Sequence, residues 1–168
     1  MQSKGRILCV DDDVDTCEML HILLGGAGYE VTTSTSVAEG LSLAKSGQYD
    51  LILLDGLFED GTGVELCRMI RAFDSETPIV FCSGAARQSD VAEGMSAGAQ
   101  EYLIKPCSLE QIEQTVITLI GAASASARRI TIPNDTRTRT RESLRQSREL
   151  TDGGKKRKSD RANPSQPQ

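Results

Sequence analysis

The sequence predicts an α/β fold built on a doubly wound, five-stranded parallel sheet. Two observations carry this. Four short apolar runs, Ile7-Leu8-Cys9-Val10, Leu51-Ile52-Leu53-Leu54, Ile79-Val80-Phe81-Cys82 and Tyr102-Leu103-Ile104, read as buried parallel strands. Segments of helical periodicity separate them, so strand and helix alternate along the first 120 residues or so, as a wound parallel sheet requires.

Each element has a local reason. The first strand spans Arg6–Val10, and a helix follows from Val14 to Ala27 with Val14, Cys17, Leu20 and Leu24 at helical spacing. Asp13 is placed to cap its N-terminus, and Gly25, Gly26 and Gly28 mark its end. A second strand covers Glu30–Ser34. Ser36-Val37-Ala38-Glu39 has the form of a capping box and opens a helix to Lys45, which Gly47 ends. The third strand is Asp50–Leu54. A loop with Gly56, Gly61 and Gly63 leads to a helix carrying Leu66, Cys67 and Ile70 on one face. Pro78 opens the fourth strand, and Gln88–Ser96 is a helix of low apolar content. After a short fifth strand, Glu101–Ile104, a second capping box (Ser108 to Gln111) starts a helix with Leu109, Ile112, Val116, Leu119 and Ile120 on its face. Five such units make a flavodoxin-like (βα)5 domain, assigned to residues 1–123.

Composition changes after Gly121. Residues 1–120 carry 7 Lys+Arg against 19 Asp+Glu, a net −12, whereas residues 121–168 carry 12 against 5, a net +7. From Ser124 to Gln168 only 7 of 45 residues are apolar and none is aromatic, too few to offset the entropy of ordering. Residues 124–168 are therefore expected to form a disordered basic tail. Its Lys155-Lys156-Arg157-Lys158 run reads as a solvated face or a contact for nucleic acid or an acidic partner. The five cysteines are odd in number and lack C-x-x-C spacing, as expected of buried, reduced thiols. His21 lacks a Cys or His partner at metal spacing and reads as a surface residue. Apolar runs are short, so neither a signal peptide nor a membrane span is expected, and a cytoplasmic location follows.

The residues ending the apolar runs share a chemistry. In open α/β sheets ligands bind beyond the carboxyl ends of the strands. Asp11, Asp12, Asp55, Ser83 and Lys105 would meet there. A hard cation such as Mg²⁺ takes oxygen ligands, which Asp11, Asp12 and Asp55 offer, and it would relieve their mutual repulsion, as would Lys105. An aspartate can attack phosphorus to give an aspartyl phosphate, and Ser83 could hydrogen-bond the transferred group. Taken singly, an Asp after a strand is as readily a cap, and Tyr102 as readily half-buried packing.

With these motifs in order and spacing, including Gly63 eight residues after Asp55 and Lys105-Pro106 after the last strand, the chain resembles the response-regulator receiver domain of two-component signalling. The resemblance covers residues 4–122. It implies Asp55 as phosphoacceptor, Asp11 and Asp12 as the acidic pair holding Mg²⁺ and Lys105 as the ammonium pairing with the phosphoryl group. It further implies Ser83 and Tyr102 as switch residues and a cis bond before Pro106. The implied donor is a phosphohistidine on a sensor kinase or phosphotransfer protein. The family usually has proline four residues after the phosphoacceptor. Glu59 stands there, which predicts a looser loop and two added carboxylates, Glu59 and Asp60, near the site.

No DNA-binding pattern follows Gly121, so no DNA-binding domain is expected; the partners are expected to be that donor and a downstream protein target, without membrane. The chain is expected to be a single-domain regulator that switches a protein-interaction surface, and not an enzyme beyond its own phosphorylation and slow dephosphorylation. Two alternatives stay open. One is a haloacid-dehalogenase-type phosphatase using Asp11, since Asp11-Asp12-Asp13 supplies the D-x-D start of that family's D-x-D-x-[TV] motif, with Asp15 standing where the motif has Thr or Val. The other is a pseudo-receiver that binds partners without phosphorylation.

Overall fold

The computed structural model describes residues 3–130. Five strands pair in parallel: β1 (Arg6–Val10), β2 (Glu30–Ser34), β3 (Leu51–Leu54), and then β6 (Ile79–Ser83) and β7 (Glu101–Ile104), in the order β2-β1-β3-β6-β7. The intervening numbers belong to a small antiparallel hairpin, β4 (Leu57–Phe58) and β5 (Gly61–Thr62), which the sequence reading treated as loop. Helices α1 (Val14–Gly26), α2 (Val37–Ser46), α3 (Gly63–Arg71), α4 (Gln88–Ser96) and α5 (Leu109–Ile130) cover the sheet.

Side chains alternate across a strand, so each central strand feeds two cores. Leu8, Val10, Ile52, Leu54, Ile79 and Phe81 point to one face and pack with Leu66, Cys67 and Ile70 of α3. Ile7, Cys9, Leu51, Leu53, Val80 and Cys82 point to the other, against Leu20 and Leu24 of α1 and Ile112 and Val116 of α5. Both faces are covered, which is why these strands are apolar throughout. Two face assignments need correction. Val14 and Leu109, each at the first position of its helix, are 64% and 45% exposed, because a helix start lies beyond the sheet edge it packs on.

Helix ends follow local chemistry, with one nonlocal cap. Asp13 accepts from the backbone N–H groups of Asp15 and Thr16. Ser108 and Gln111 form the expected reciprocal box, and Thr62 with Glu65 forms another at α3. The Ser36 box is half made: Ser36 accepts from the Glu39 N–H, but the Glu39 carboxylate takes the Ser34 hydroxyl instead. α2 gains its remaining acceptors from Asp60, whose Oδ1 and Oδ2 take the N–H groups of Val37 and Ala38 at 3.0 and 3.1 Å.

The last helix runs on to Ile130, past the residue 123 at which the sequence reading ended the domain, and the described residues 3–130 fall within one compact unit. Alanines at 122, 123, 125 and 127 sustain it, alanine being the strongest helix former. The expectation for the rest of the tail falls on residues 131–168, outside the described residues. Among the described residues, no helix is long and apolar enough to cross a membrane.

Candidate functional site

Strand order dictates where the site lies. β1 has β2 on one side and β3 on the other, so the chain leaves their carboxyl ends in opposite directions and opens a crevice there. Asp11 follows β1 and Asp55 follows β3. Their strands are paired in register, Val10 opposite Leu54, so the two carboxylates are lateral neighbours. Ser83 ends β6 and Lys105 follows β7.

Lys105 joins them. Its Nζ donates to Asp11 Oδ2 at 2.7 Å and to Asp55 Oδ1 at 3.0 Å. The remaining carboxylate oxygens accept from the backbone: Asp11 Oδ1 from the Asp13 N–H at 3.1 Å, and Asp55 Oδ2 from the Leu57 N–H at 2.9 Å. Both carboxylates are buried, at 4% and 9% residue exposure, while the Lys105 side chain is 30% exposed. Burial pulls the Lys105 ammonium down, but its two carboxylate partners outweigh that and hold it charged well above the ordinary lysine value. Burial pushes the Asp11 carboxyl up, and the bonds from Lys105 and Asp13 return only part of the cost. When all three groups are ionised, two carboxylates face one ammonium, so the pocket carries a net negative charge. Its donors are all oxygens, so the residues fit a hard divalent cation of the Mg²⁺ type.

The third expected ligand, Asp12, lies at a bend just after β1 and is exposed. Among the described residues no group of three or more His, Cys, Asp or Glu side chains is already gathered as a metal cluster.

Ser83 is buried at 2% exposure, and its Oγ accepts from the Ala85 N–H at 3.2 Å. It is packed on the backbone of Gly56, where a Cβ would collide with the Ser83 hydroxyl. The hydroxyl therefore lies beside Asp55 without bonding to it. Tyr102 stacks on Phe81 with ring centroids 5.4 Å apart, and its hydroxyl donates to the Ala85 carbonyl at 2.8 Å. Ala85 thus ties Ser83 and Tyr102 to one loop. Gly94 of α4 lets the helix lie on both rings, for a Cβ there would meet Tyr102 at 3.1 Å and Phe81 at 3.2 Å. The Lys105–Pro106 peptide bond is cis.

The loop after Asp55 differs from expectation. It is a hairpin with Glu59-Asp60 at its tip, anchored by Phe58 in the core. Asp60 turns away from the site to cap α2, and hydrogen bonds from Val37 and Ala38 hold its carboxyl below the ordinary value. Glu59 is exposed at the tip. Only the position of Glu59 was legible; the reach of Asp60 to a helix more than twenty residues earlier had no local signal.

Sequence reasoning also missed two backbone features. The Leu57 N–H orients Asp55. Gly63 lies so close to the Asp55 carbonyl that a Cβ would overlap it, and its N–H donates to the Gly56 carbonyl at 3.0 Å. The eight-residue spacing from Asp55 to Gly63 therefore closes the hairpin under the site.

Comparison with known proteins agrees with this geometry. The family model of the response regulator receiver domain matches residues 7–117. The transcriptional regulatory protein YkoG of Bacillus subtilis is 35% identical over 65% of this chain and 48% of its own length. The DNA-binding response regulator MtrA of Mycolicibacterium paratuberculosis is 38% identical over 61% of this chain and 45% of its own. The Thermotoga maritima response regulator TrrA, solved in complex with Mg²⁺–BeF, is 31% identical with a TM-score of 0.62, over 68% of this chain and 97% of that one. The chain thus spans about half the length of the curated relatives it matches.

These relatives correct the expected partner set, which held a kinase or phosphotransfer donor and a downstream protein target but no DNA-binding domain. Curated relatives are DNA-binding or transcriptional regulators, aligned here over less than half their length. Paired buried carboxylates bridged by a lysine, a serine at the next strand end and a match over most of the folded part lead to one assignment: the chain belongs to the response regulator receiver domain family of two-component signalling.

Proposed function

We propose that Asp55 accepts a phosphoryl group from a phosphohistidine donor in a Mg²⁺-dependent reaction, and that this biases Ser83 and Tyr102 toward a second arrangement. The observation that carries the proposal is the Lys105 ammonium held between Asp11 and Asp55. Asp55 supplies the nucleophilic oxygen: its bond to phosphorus forms as the phosphorus–nitrogen bond of the donor breaks. Leu57 fixes the carboxylate through Oδ2, which limits the orientations the nucleophile can take. Lys105 follows the developing charge from the carboxylate onto a phosphoryl oxygen. Asp11 and Asp55, with Asp12 at the exposed lip, would hold Mg²⁺, and the bound ion supplies neutralisation of the phosphoryl charge. The Mg²⁺–BeF complex of the Thermotoga maritima relative supports that reading.

Ser83 is one residue from Gly84, whose Cβ position is open, so the segment is free to carry the hydroxyl toward the new group. That movement pulls Ala85 and, through its carbonyl, the Tyr102 hydroxyl. Turnover beyond self-phosphorylation and slow loss of phosphate is not part of this role.

Incubation with Mg²⁺ and acetyl phosphate, read by intact mass, tests the proposal. The expected result is a gain of one phosphoryl group, lost in Asp55→Asn and in excess chelator. No gain, with partner binding unchanged in Asp55→Ala, would leave the pseudo-receiver. Hydrolysis of p-nitrophenyl phosphate that disappears in Asp11→Asn would restore the phosphatase.

A further inference from the structure

Behind the phosphoryl site, on the opposite face of β6, lies a pair of thiols with no part in the chemistry above. The Sγ atoms of Cys82 and Cys107 are 3.2 Å apart. Cys82 precedes Ser83 on β6 and points into the core shared with α1 and α5. Cys107 follows Lys105-Pro106 and is half-buried. They are not paired by strand register, since Cys82 sits opposite Leu103, so the approach comes from the turn after β7 folding back over the sheet edge. The remaining buried thiols have other surroundings: Cys17 donates to the Asp11 carbonyl at 3.3 Å and Cys67 to the Ala97 carbonyl at 3.5 Å. Among the described residues this is the one Sγ–Sγ contact.

We propose that Cys82 and Cys107 form an oxidisable dithiol, a modification site that a peroxide converts to an intramolecular disulfide. Cys107 is the entry point, because its half-buried sulfur is reachable and Cys82, 6% exposed, is not. The Cys107 thiolate attacks one peroxide oxygen, the O–O bond breaks, and the departing hydroxide takes a proton to leave as water. Cys107 is then a sulfenic acid. The Cys82 sulfur attacks the Cys107 sulfur, the S–O bond breaks, and hydroxide leaves with the Cys82 proton as a second water. Two thiols and one peroxide thus give one disulfide and two waters. Burial, then the contact with Cys107, pushes the Cys82 thiol up to about 12, so Cys82 is not the sulfur that attacks the peroxide. The sulfurs must close by roughly 1 Å to bond, since a disulfide is about 2 Å long.

That closure draws Cys82 and Cys107 together on the face away from Asp55. Ser83 is the next residue on one side and Lys105 lies two residues back on the other, and the Lys105 N–H is bonded to the Ser83 carbonyl at 2.9 Å. The disulfide therefore draws both groups back from the phosphoryl position. This consequence rests on the function proposed above: the oxidised protein accepts phosphate roughly tenfold or more slowly, as small misplacements of reacting groups do.

Titrate the protein with hydrogen peroxide, digest it without reductant and map the peptides by mass. The expected result is a Cys82–Cys107 cross-link, two hydrogens lighter than the dithiol and reversed by dithiothreitol. Cys107→Ser should give no cross-link. In Cys82→Val, Cys107 should stop at a sulfenic acid that dimedone captures. A disulfide between two copies through Cys107, a different cysteine pair, or direct conversion of Cys107 to sulfinic acid would overturn the proposal. Acetyl phosphate labelling of the oxidised and reduced forms then reads the consequence. Equal rates with the cross-link intact would refute it. Absence of labelling in both forms would instead count against the role of Asp55, while the peptide map still decides the dithiol.

Discussion

Replacing Lys105 by Met removes the ammonium that bridges two buried carboxylates and keeps most of the side chain's apolar stem. Two charge-assisted bonds are lost, at 2.7 and 3.0 Å. Each such bond contributes about 1.5–3 kcal/mol net, so the gross loss is about 3–6 kcal/mol. The lysine side chain is 30% exposed while those of Asp11 and Asp55 are 5% and 11% exposed. Water replaces part of the lysine contacts but reaches the carboxylates poorly, so the expected cost settles at about 2–3 kcal/mol. For a domain of this size about 1 kcal/mol moves the melting temperature by roughly 4 °C, which gives a fall of roughly 8–12 °C. The assay is thermal unfolding by circular dichroism, once in chelator and once with Mg²⁺. The cation should narrow the gap to the unsubstituted protein, because it compensates the same two carboxylates. A variant that melts within roughly 2 °C of the unsubstituted protein in chelator would refute the electrostatic bridge. A gap that Mg²⁺ leaves unchanged would refute the metal assignment.

Asp11→Asn should have the opposite sign. The folded-state value of Asp11 lies above its unfolded value, so ionising it costs stability, fully so above the folded value and not at all below the unfolded one. In chelator at neutral pH the variant should melt higher than the parent, with the difference vanishing as pH falls below that of a free carboxyl; a lower melting temperature at neutral pH would contradict the sign. Gly63→Ala places a methyl group against the Asp55 carbonyl and 2.8 Å from the Phe81 ring. Urea unfolding should show a loss of about 1–3 kcal/mol, and a neutral result would mean that the hairpin floor yields easily. Arg71 donates to the carbonyls of Gly98, Asp74 and Thr77 and to Gln100 Oε1, all at 2.9–3.0 Å. Arg71→Met should lower the urea midpoint, by about 2–3 kcal/mol in stability, without changing phosphorylation, since these bonds lie away from Asp55. Altered labelling by acetyl phosphate would show that the two ends of the sheet are coupled.

The central strands were legible because both their faces are buried. Apolar runs such as Leu51–Leu54 leave little choice of element, and polar residues at their ends mark the rim. What could not be read is nonlocal. The β4–β5 hairpin has two residues per strand, too short for any periodicity, and depends on Gly63 lying against Asp55. Asp60 looked like a site carboxylate because sequence proximity to Asp55 says nothing of which helix end it reaches. Asp12 looked equal to Asp11, although one is exposed at the bend after β1 and the other is buried. Arg71 carried no motif, since its acceptors are main-chain carbonyls that any residue supplies. The two thiols at 82 and 107 looked like separate buried hydrophobes because their contact arises from a turn over the sheet edge.

The Lys105–Asp11 contact joins residues 94 positions apart. No fragment ending before β7 can make it, and a chain still emerging from the ribosome holds Asp11 and Asp55 without their counter-charge. Long-range closure of this kind comes late, after the entropy of the intervening loop has been overcome. On the role proposed for Asp55, a copy lacking β7 would have no Lys105 beside the acceptor carboxylate and would not take up the phosphoryl group.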